Sequence, residues 1–471
     1  MGRSTLISGP AGSGKTLLGV QFVVAGAKTL NEPGVIVTFE ESPRGLSDNA
    51  AAFGWPVDML VEEQRIAIVD VSPAPGEVHV ESGDFDFAAL QARILHAAKR
   101  VGGRRILLDA IGTLFAQFSD AGAVRRELFR VLSALRDEGL TVLVTAERPV
   151  EHGPIARYGV EEFVTDNVIL LRNATKAGRR RRTLEVLKLR GGDHIKGEAP
   201  FVVDAEGGVT VLPMVPVAEV ESSARLVSTG VAALDRMLGG GVWQGSVVVV
   251  TGTTGAAKSV ALSQFIGESD GRGLLVSFAE TRSHLMRNAA RWGMDLGDAV
   301  EGGRMMLVAR QPECASIEEH LLALRRMLAK HKPDRVAIDS VSALQRIAPP
   351  QEFRDFAVAL INELRNSSAT AMLTATRDAR ETATPGISAL EELSDVLLSM
   401  LVVEQLGRMH RAVAIRKMRG AAHDRSIREV LVGDQGIEIG DPFHHVQGIL
   451  EGRAGFTLAG EEATYDDMFS S

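Results

Sequence analysis

A chain of 471 residues is longer than one ordinary hydrophobic core organises, so two or three domains are expected. Its 24% charged and 45% hydrophobic residues are those of a globular protein, and a net charge of −8 counts against nucleic acid as a partner, because phosphate neutralisation needs a surplus of Lys and Arg. The single cysteine, Cys314, excludes an intrachain disulfide, and with no long apolar run and no signal-like start the expected location is cytoplasmic, away from membranes.

The chain opens on an apolar run, STLIS (4–8), followed by GPAGSGKT (9–16) and then LLGVQFVVAGA. This is a complete G-x-x-x-x-G-K-[ST] loop in the strand–loop–helix setting that the motif requires. Backbone N–H groups over Gly12, Ser13, Gly14 and the helix start at Lys15, Thr16 and Leu17 are suited to cradle phosphate oxygens. Lys15 neutralises the outer phosphates, and Thr16 offers a hydroxyl to Mg²⁺. GVIVTF (34–39), RIAIVDV (65–71), RRILLD (104–109) and LTVLVTA (140–146) read as strands, with FAALQARILHAAKRV and VRRELFRVLSALRDEG as helices between them. That alternation predicts a parallel sheet with helices on both faces. Asp109 ends one strand, where a carboxylate helps hold hydrated Mg²⁺ in a P-loop site. Beyond about residue 160 only strands are predicted: DNVILLR, RRTLEVLKLRG, PFVVD and GVTVLP. The run MVPVAEVESSAR (214–225) reads as a linker.

The second half repeats this grammar. SVVVVTG leads into TGTTGAAKSVA (251–261), with Thr254, Gly255, Ala256, Ala257, Lys258, Ser259 and Val260 in the loop positions. Lys15 and Lys258 stand 243 residues apart, Asp109 and Asp339 stand 230 apart, and the pairs Lys188/Lys417 and His194/His423 are each 229 apart. Asp339, like Asp109, closes an apolar run, and with Ser259 it forms the second candidate metal pair. A duplicated unit explains this order better than chance. The expected architecture is α/β: two tandem P-loop domains, 1–213 and 226–454, each a mostly parallel sheet with a β-rich C-terminal end, then a mobile acidic tail, 455–471. The segment 226–246 has no counterpart in the first half as given, which begins almost directly at its strand; that N-terminal element is either missing or lies upstream of this start.

With these residues in view, the chain resembles the KaiC family, double-domain RecA-like ATPases of bacterial clock and timing systems. The resemblance rests on the tandem loops, Phe39-Glu40-Glu41, VEEFVTDNVILLRN, RRRRTLEVLKLRGGDHIKGE, RNAARWGMD and KMRGAAHD. It implies a homo-hexameric double ring, ATP or ADP with Mg²⁺ between neighbouring subunits, and a KaiB-like or other signalling partner. It makes Glu40 and Glu41 the catalytic carboxylates of the first ring, with Glu280 their remaining counterpart in the second. It makes Lys188, Leu189, Arg190, His194 and Lys196 ligands of the neighbour's ATP, and puts Trp292, Arg411, Lys417, Met418 and Arg419 around the second nucleotide.

The second half departs from the family pattern in three places. Ala257 replaces the loop glycine; Ala279 replaces the first carboxylate; Glu391 and Glu392 stand where the family phosphorylates a Ser-Thr pair. The expectation is a second site shifted from turnover towards binding, with autokinase activity lost and a phosphorylated-like charge built in. Two other readings stay open here. One is a nucleotide-gated scaffold with little turnover. The other is a RecA-like DNA-dependent ATPase, for which the arginine run 179–182 is the best support, although that run reads more simply as a solvated hairpin.

Overall fold

A computed structural model describes residues 2–72, 87–112, 121–148, 153, 155–156, 161–176, 178–213, 223–269, 271–377, 385–405, 407–444, 446–451 and 455–456. The chain divides into two compact units, Met1–Pro213 and Met214–Ser471. Nearly all of the expected linker and the acidic tail beyond residue 456 lie outside the described residues.

In the first unit the strands are β1 (Ser4–Gly9), β2 (Gly34–Thr38), β3 (Ile66–Asp70), β4 (Arg105–Asp109), β5 (Thr141–Glu147), β6 (Asn167–Lys176), β7 (Arg179–Leu189), β8 (Glu198–Asp204) and β9 (Gly208–Val211). They form one sheet in the order β3-β2-β4-β5-β1-β6-β7-β8-β9. The first six of these neighbours are parallel, and the last three strands join antiparallel. Strand β1 is thus central, between β5 and β6, and hands the chain to the helix Lys15–Thr29 at its carboxyl end. In open α/β sheets that edge is where ligands bind.

Side-chain alternation explains why helices cover both faces. Leu6, Val35, Val37, Ile106 and Leu108 are buried on one face with the helices Phe87–Val101 and Ala121–Asp137. Ile7, Ile36, Leu107 and Leu143 are buried on the other, against the helix Lys15–Thr29 and its neighbours. Period-two side chains buried on both faces produce the near-continuous apolar runs of the sequence.

The second unit adds a short antiparallel pair, β10 (Leu226–Val227) and β11 (Val242–Trp243), and then repeats the sheet. Its strands are β12 (Val247–Gly252), β13 (Gly273–Ser277), β14 (Met305–Ala309), β15 (Arg335–Asp339), β16 (Thr370–Thr376), β17 (Val396–Gln405), β18 (Arg408–Met418), β19 (Arg428–Gly433) and β20 (Gly436–Pro442). The order β14-β13-β15-β16-β12-β17-β18-β19-β20 is the first sheet's order shifted by eleven strands. Gly455–Phe456 pairs with Val446–Gln447, so a short strand sits where the tail was expected to start.

The duplication reaches single side chains. Gln21 clasps the β8–β9 turn, donating to the carbonyls of Gly207 and Val209, each at 3.2 Å, and accepting from Val209 N at 2.8 Å. Gln264 makes the equivalent clasp, donating to Gln435 O at 3.5 Å and accepting from Ile437 N at 2.9 Å. Among the described residues, no helix is long and apolar enough to cross a membrane.

Candidate functional site

The first loop opens onto a cleft of about 310 Å³ lined by Gly12, Gly14, Lys15, Thr16, Glu41, Trp55 and Arg182, among others. Gly14 holds the turn into the helix in the left-handed region, at φ 94° and ψ 19°, where a side chain would be strained. Lys15 donates to Pro10 O at 3.0 Å and lies across the loop. Burial pulls its pKa below the usual lysine value, and Glu147, Asp109 and Glu40 oppose that pull. Asp109 is buried at the end of β4, with Thr145 and Thr16 hydroxyls donating to it. Burial raises its pKa, against those donors and Lys15. A hydroxyl and a carboxylate brought together beside a phosphate cradle suit Mg²⁺, which keeps several waters and shares its coordination with phosphate oxygens. Among the described residues no set of three His, Cys, Asp or Glu could hold a metal alone, so phosphate would have to complete the site.

The two carboxylates after β2 differ in placement. Thr38 Oγ1 donates to Glu41 O at 2.6 Å and accepts from Glu41 N at 3.1 Å, which fixes the turn. Glu41 lines the cleft, with Asn49 Nδ2 at 3.4 Å from its carboxylate. Glu40 is exposed and acts electrostatically on Lys15.

The second loop has the same frame with a poorer set of acids. Lys258 donates to Gly252 O at 2.9 Å and Thr253 O at 2.7 Å. Ser259 Oγ donates to Asp339 at 2.8 Å, and Thr374 donates to the same carboxylate. Burial lowers the Lys258 pKa to about 8, with only Asp339 opposing it. Where Glu147 ends β5, Thr376 ends β16, and Ala279 stands in place of Glu40. Glu280 keeps the Glu41 arrangement: its N–H reaches Ser277 Oγ at 3.0 Å, and Asn288 donates to its carboxylate at 2.8 Å.

Ala257 occupies the left-handed position that Gly14 fills in the first loop, at φ 71° and ψ 22°. An L-residue there costs roughly 1–2 kcal/mol. Ala257→Gly is therefore expected to stabilise the second unit by about 1 kcal/mol once the extra freedom of glycine in the unfolded chain is subtracted. Denaturant unfolding checks this, and an unchanged or lower midpoint would count against it.

The structure does not bring Lys188, Leu189 or Arg190 to their own loop. Lys188 pairs with Val168, which sits beside Leu6, whereas the loop starts past Gly9, about 10 Å further along the strand direction. Lys188 Nζ donates away from the loop, to Glu162 O at 3.1 Å and Thr165 O at 2.6 Å, and Arg190 faces Asp166 at 3.5 Å. Burial and neighbouring Arg190 lower the Lys188 pKa. His194 is half-buried and Lys196 exposed in the segment after β7. Lys417 and Arg419 repeat this placement: Lys417 donates to Glu391 O at 2.9 Å and Glu392 O at 2.8 Å, and Arg419 donates to Glu392 O at 2.8 Å. Met418 is buried in the core, and Trp292 packs half-buried against it. The Glu391 carboxylate is paired with Arg377 at 2.7 Å, and Arg377 N donates to Gly252 O at 3.0 Å.

Four residues at the first loop escaped the sequence reading. Glu147 lies one residue beyond the run that predicted β5, and Trp55, which follows Gly54 as Met294 follows Gly293, is the first-half counterpart of Met294, with Phe53 in the place of Trp292. The run 179–182 does open the second strand of a hairpin, with Arg180 exposed, but Arg182 lines the cleft with its Nε buried. The 229-residue offset maps it onto Arg411 and maps Asn173 onto Val402, so the repeat itself carried the signal.

The model of the family described as "ATPase: KaiC" matches twice, over residues 1–215 and 227–443. The circadian clock protein KaiC3 of Synechocystis sp. is 40% identical, over all of this chain and 94% of that protein. The circadian clock oscillator protein KaiC of Thermostichus vulcanus is 41% identical, and that of Synechococcus elongatus 40%, each over 96% of this chain and 88% of the relative. Two family matches in tandem and full-length similarity agree with the duplicated fold: the chain belongs to the KaiC family of ATPases.

Proposed function

We propose that this protein is a hexameric, ATP-hydrolysing signalling or timing protein. MgATP lies between neighbouring copies, the first loop is the turnover site, and the second loop holds nucleotide without autokinase activity. The observation that carries this division is the acid set. Glu40, Glu41, Asp109 and Glu147 surround the first loop, whereas the second has Glu280 and Asp339 with Ala279 and Thr376 in the other two places. A carboxylate near the γ-phosphate polarises the attacking water, and its loss slows turnover more than binding. Mg²⁺, held by Thr16 and Asp109 or by Ser259 and Asp339, would supply charge neutralisation on the phosphates. The chain's own part is to seat the phosphates, orient the water and exclude bulk solvent.

Glu391 and Glu392 offer no hydroxyl to accept a phosphoryl group, and the Glu391–Arg377 pair already holds a negative charge at that place. A KaiB-like partner that reads ring state is the output this proposal favours, with hydrolysis in the cytoplasm. Incubation with γ-labelled ATP and Mg²⁺ is expected to release the label as inorganic phosphate. Stable label on the second half would overturn the loss of autokinase activity.

A further inference from the structure

The two loops hold equivalent arginines in different ways. In the second unit Arg411 sits opposite Val402 across β17 and β18, and its Nε donates to Gly255 O at 2.9 Å. In the first unit Arg182 sits opposite Asn173 across β6 and β7, and the equivalent carbonyl, Gly12 O, takes the Asn173 amide at 3.3 Å instead. Arg182 Nε is left buried with no partner while the side chain lines the phosphate-loop cleft beside Gly12, Gly14 and Lys15. Asn173 Oδ1 and Ser13 Oγ are also buried and unpartnered here; Ala256 and Val402 replace those two residues at the second loop. A buried donor without an acceptor costs about 1–3 kcal/mol, so this arrangement suits a cleft that an anion completes.

From this exchange we infer that Asn173 is a positioning residue. By occupying the loop carbonyl it frees the Arg182 guanidinium to bind a phosphate oxygen of the nucleotide on the same chain. Valine at 402 has no amide to donate, so Arg411 stays tied to its loop. One side-chain difference therefore sets how much positive charge each loop presents in cis. The inference rests on the proposal that both loops bind MgATP, and it adds a residue pair that distinguishes them. Guanidinium suits this task because it stays charged and presents several donors in a fixed plane.

The test uses the full chain with the second loop disabled by Lys258→Ala, so that bound MgATP and MgADP report the first loop alone. Arg182→Gln is expected to weaken both nucleotides about tenfold, the usual scale for one charge-assisted contact. Asn173→Val should produce a loss of similar size, and the double variant should be no weaker than Arg182→Gln alone. Losses that multiply would overturn the inference, since Asn173 would then act on the loop without Arg182. The reciprocal variant, Val402→Asn in a Lys15→Ala chain, should tighten the second loop several-fold, a gain that misfolding cannot produce; no gain would also overturn it. Unchanged binding in Arg182→Gln would sink this pair alone, whereas a parent chain that bound no nucleotide would sink the loop reading with it.

Discussion

Glu40→Gln and Glu41→Gln are each expected to lower phosphate release by about 10²–10⁴-fold, the range of one general base or water-positioning group, while nucleotide stays bound. The two acids differ in how they are held, and the size of each loss should report this. Glu41 lines the cleft, and Thr38 and Asn49 fix its backbone and carboxylate. Glu40 is exposed, and its charge raises the Lys15 pKa. Glutamine keeps the size and removes the charge, so binding changes little and any loss belongs to turnover. Phosphate release measured beside bound-nucleotide stoichiometry by native mass spectrometry makes the check. If both variants hydrolyse at the parent rate, the first loop's chemistry lies elsewhere. If the hydrolysis-deficient protein still signals fully, occupancy alone drives output and the scaffold reading replaces this one.

Much of this molecule can be read before any coordinate. The P-loop grammar and the alternation of apolar runs with amphipathic helices carry the parallel sheets, because a buried strand must be apolar on both faces and a phosphate loop must follow one. The repeat carries the duplication, down to Gln21 and Gln264. What the sequence hides is cross-strand. Arg182 looks like one of four solvated arginines until β6 pairs with β7 and brings Asn173 opposite it, against the loop. Trp55 stands 40 residues from Lys15 and meets the same cleft only once the sheet has folded. Ala257 is the converse. Its cost depended on backbone conformation, and φ 71° supplies the condition that made the alanine informative.

A mixture of two inactive variants is expected to recover activity that neither has alone. Lys15→Ala disables the loop; Lys188→Ala combined with Arg190→Ala removes the cationic strand end, and trans-acting cations of this kind contribute about 10³–10⁵-fold to phosphoryl transfer. The register places Lys188 level with Leu6, at the edge of the sheet away from Gly9, and its ammonium donates to Glu162 and Thr165 carbonyls rather than towards the loop. Within one chain, therefore, the donor and the loop serve opposite edges of a single sheet. In a ring where each copy lends its strand to the next, every contact is heterologous, and closure gives each loop a donor from next door. Random one-to-one mixing then leaves about a quarter of the interfaces with an intact loop facing an intact donor, so about a quarter of the parent activity should return. The mixture must be unfolded or dissociated and reassembled first, and phosphate release followed as the mixing ratio is varied. A parabola peaking at equal amounts is the signature of sharing. A flat line at the level of the two variants would mean that each chain completes its own site, and the ring would then lose its role in catalysis.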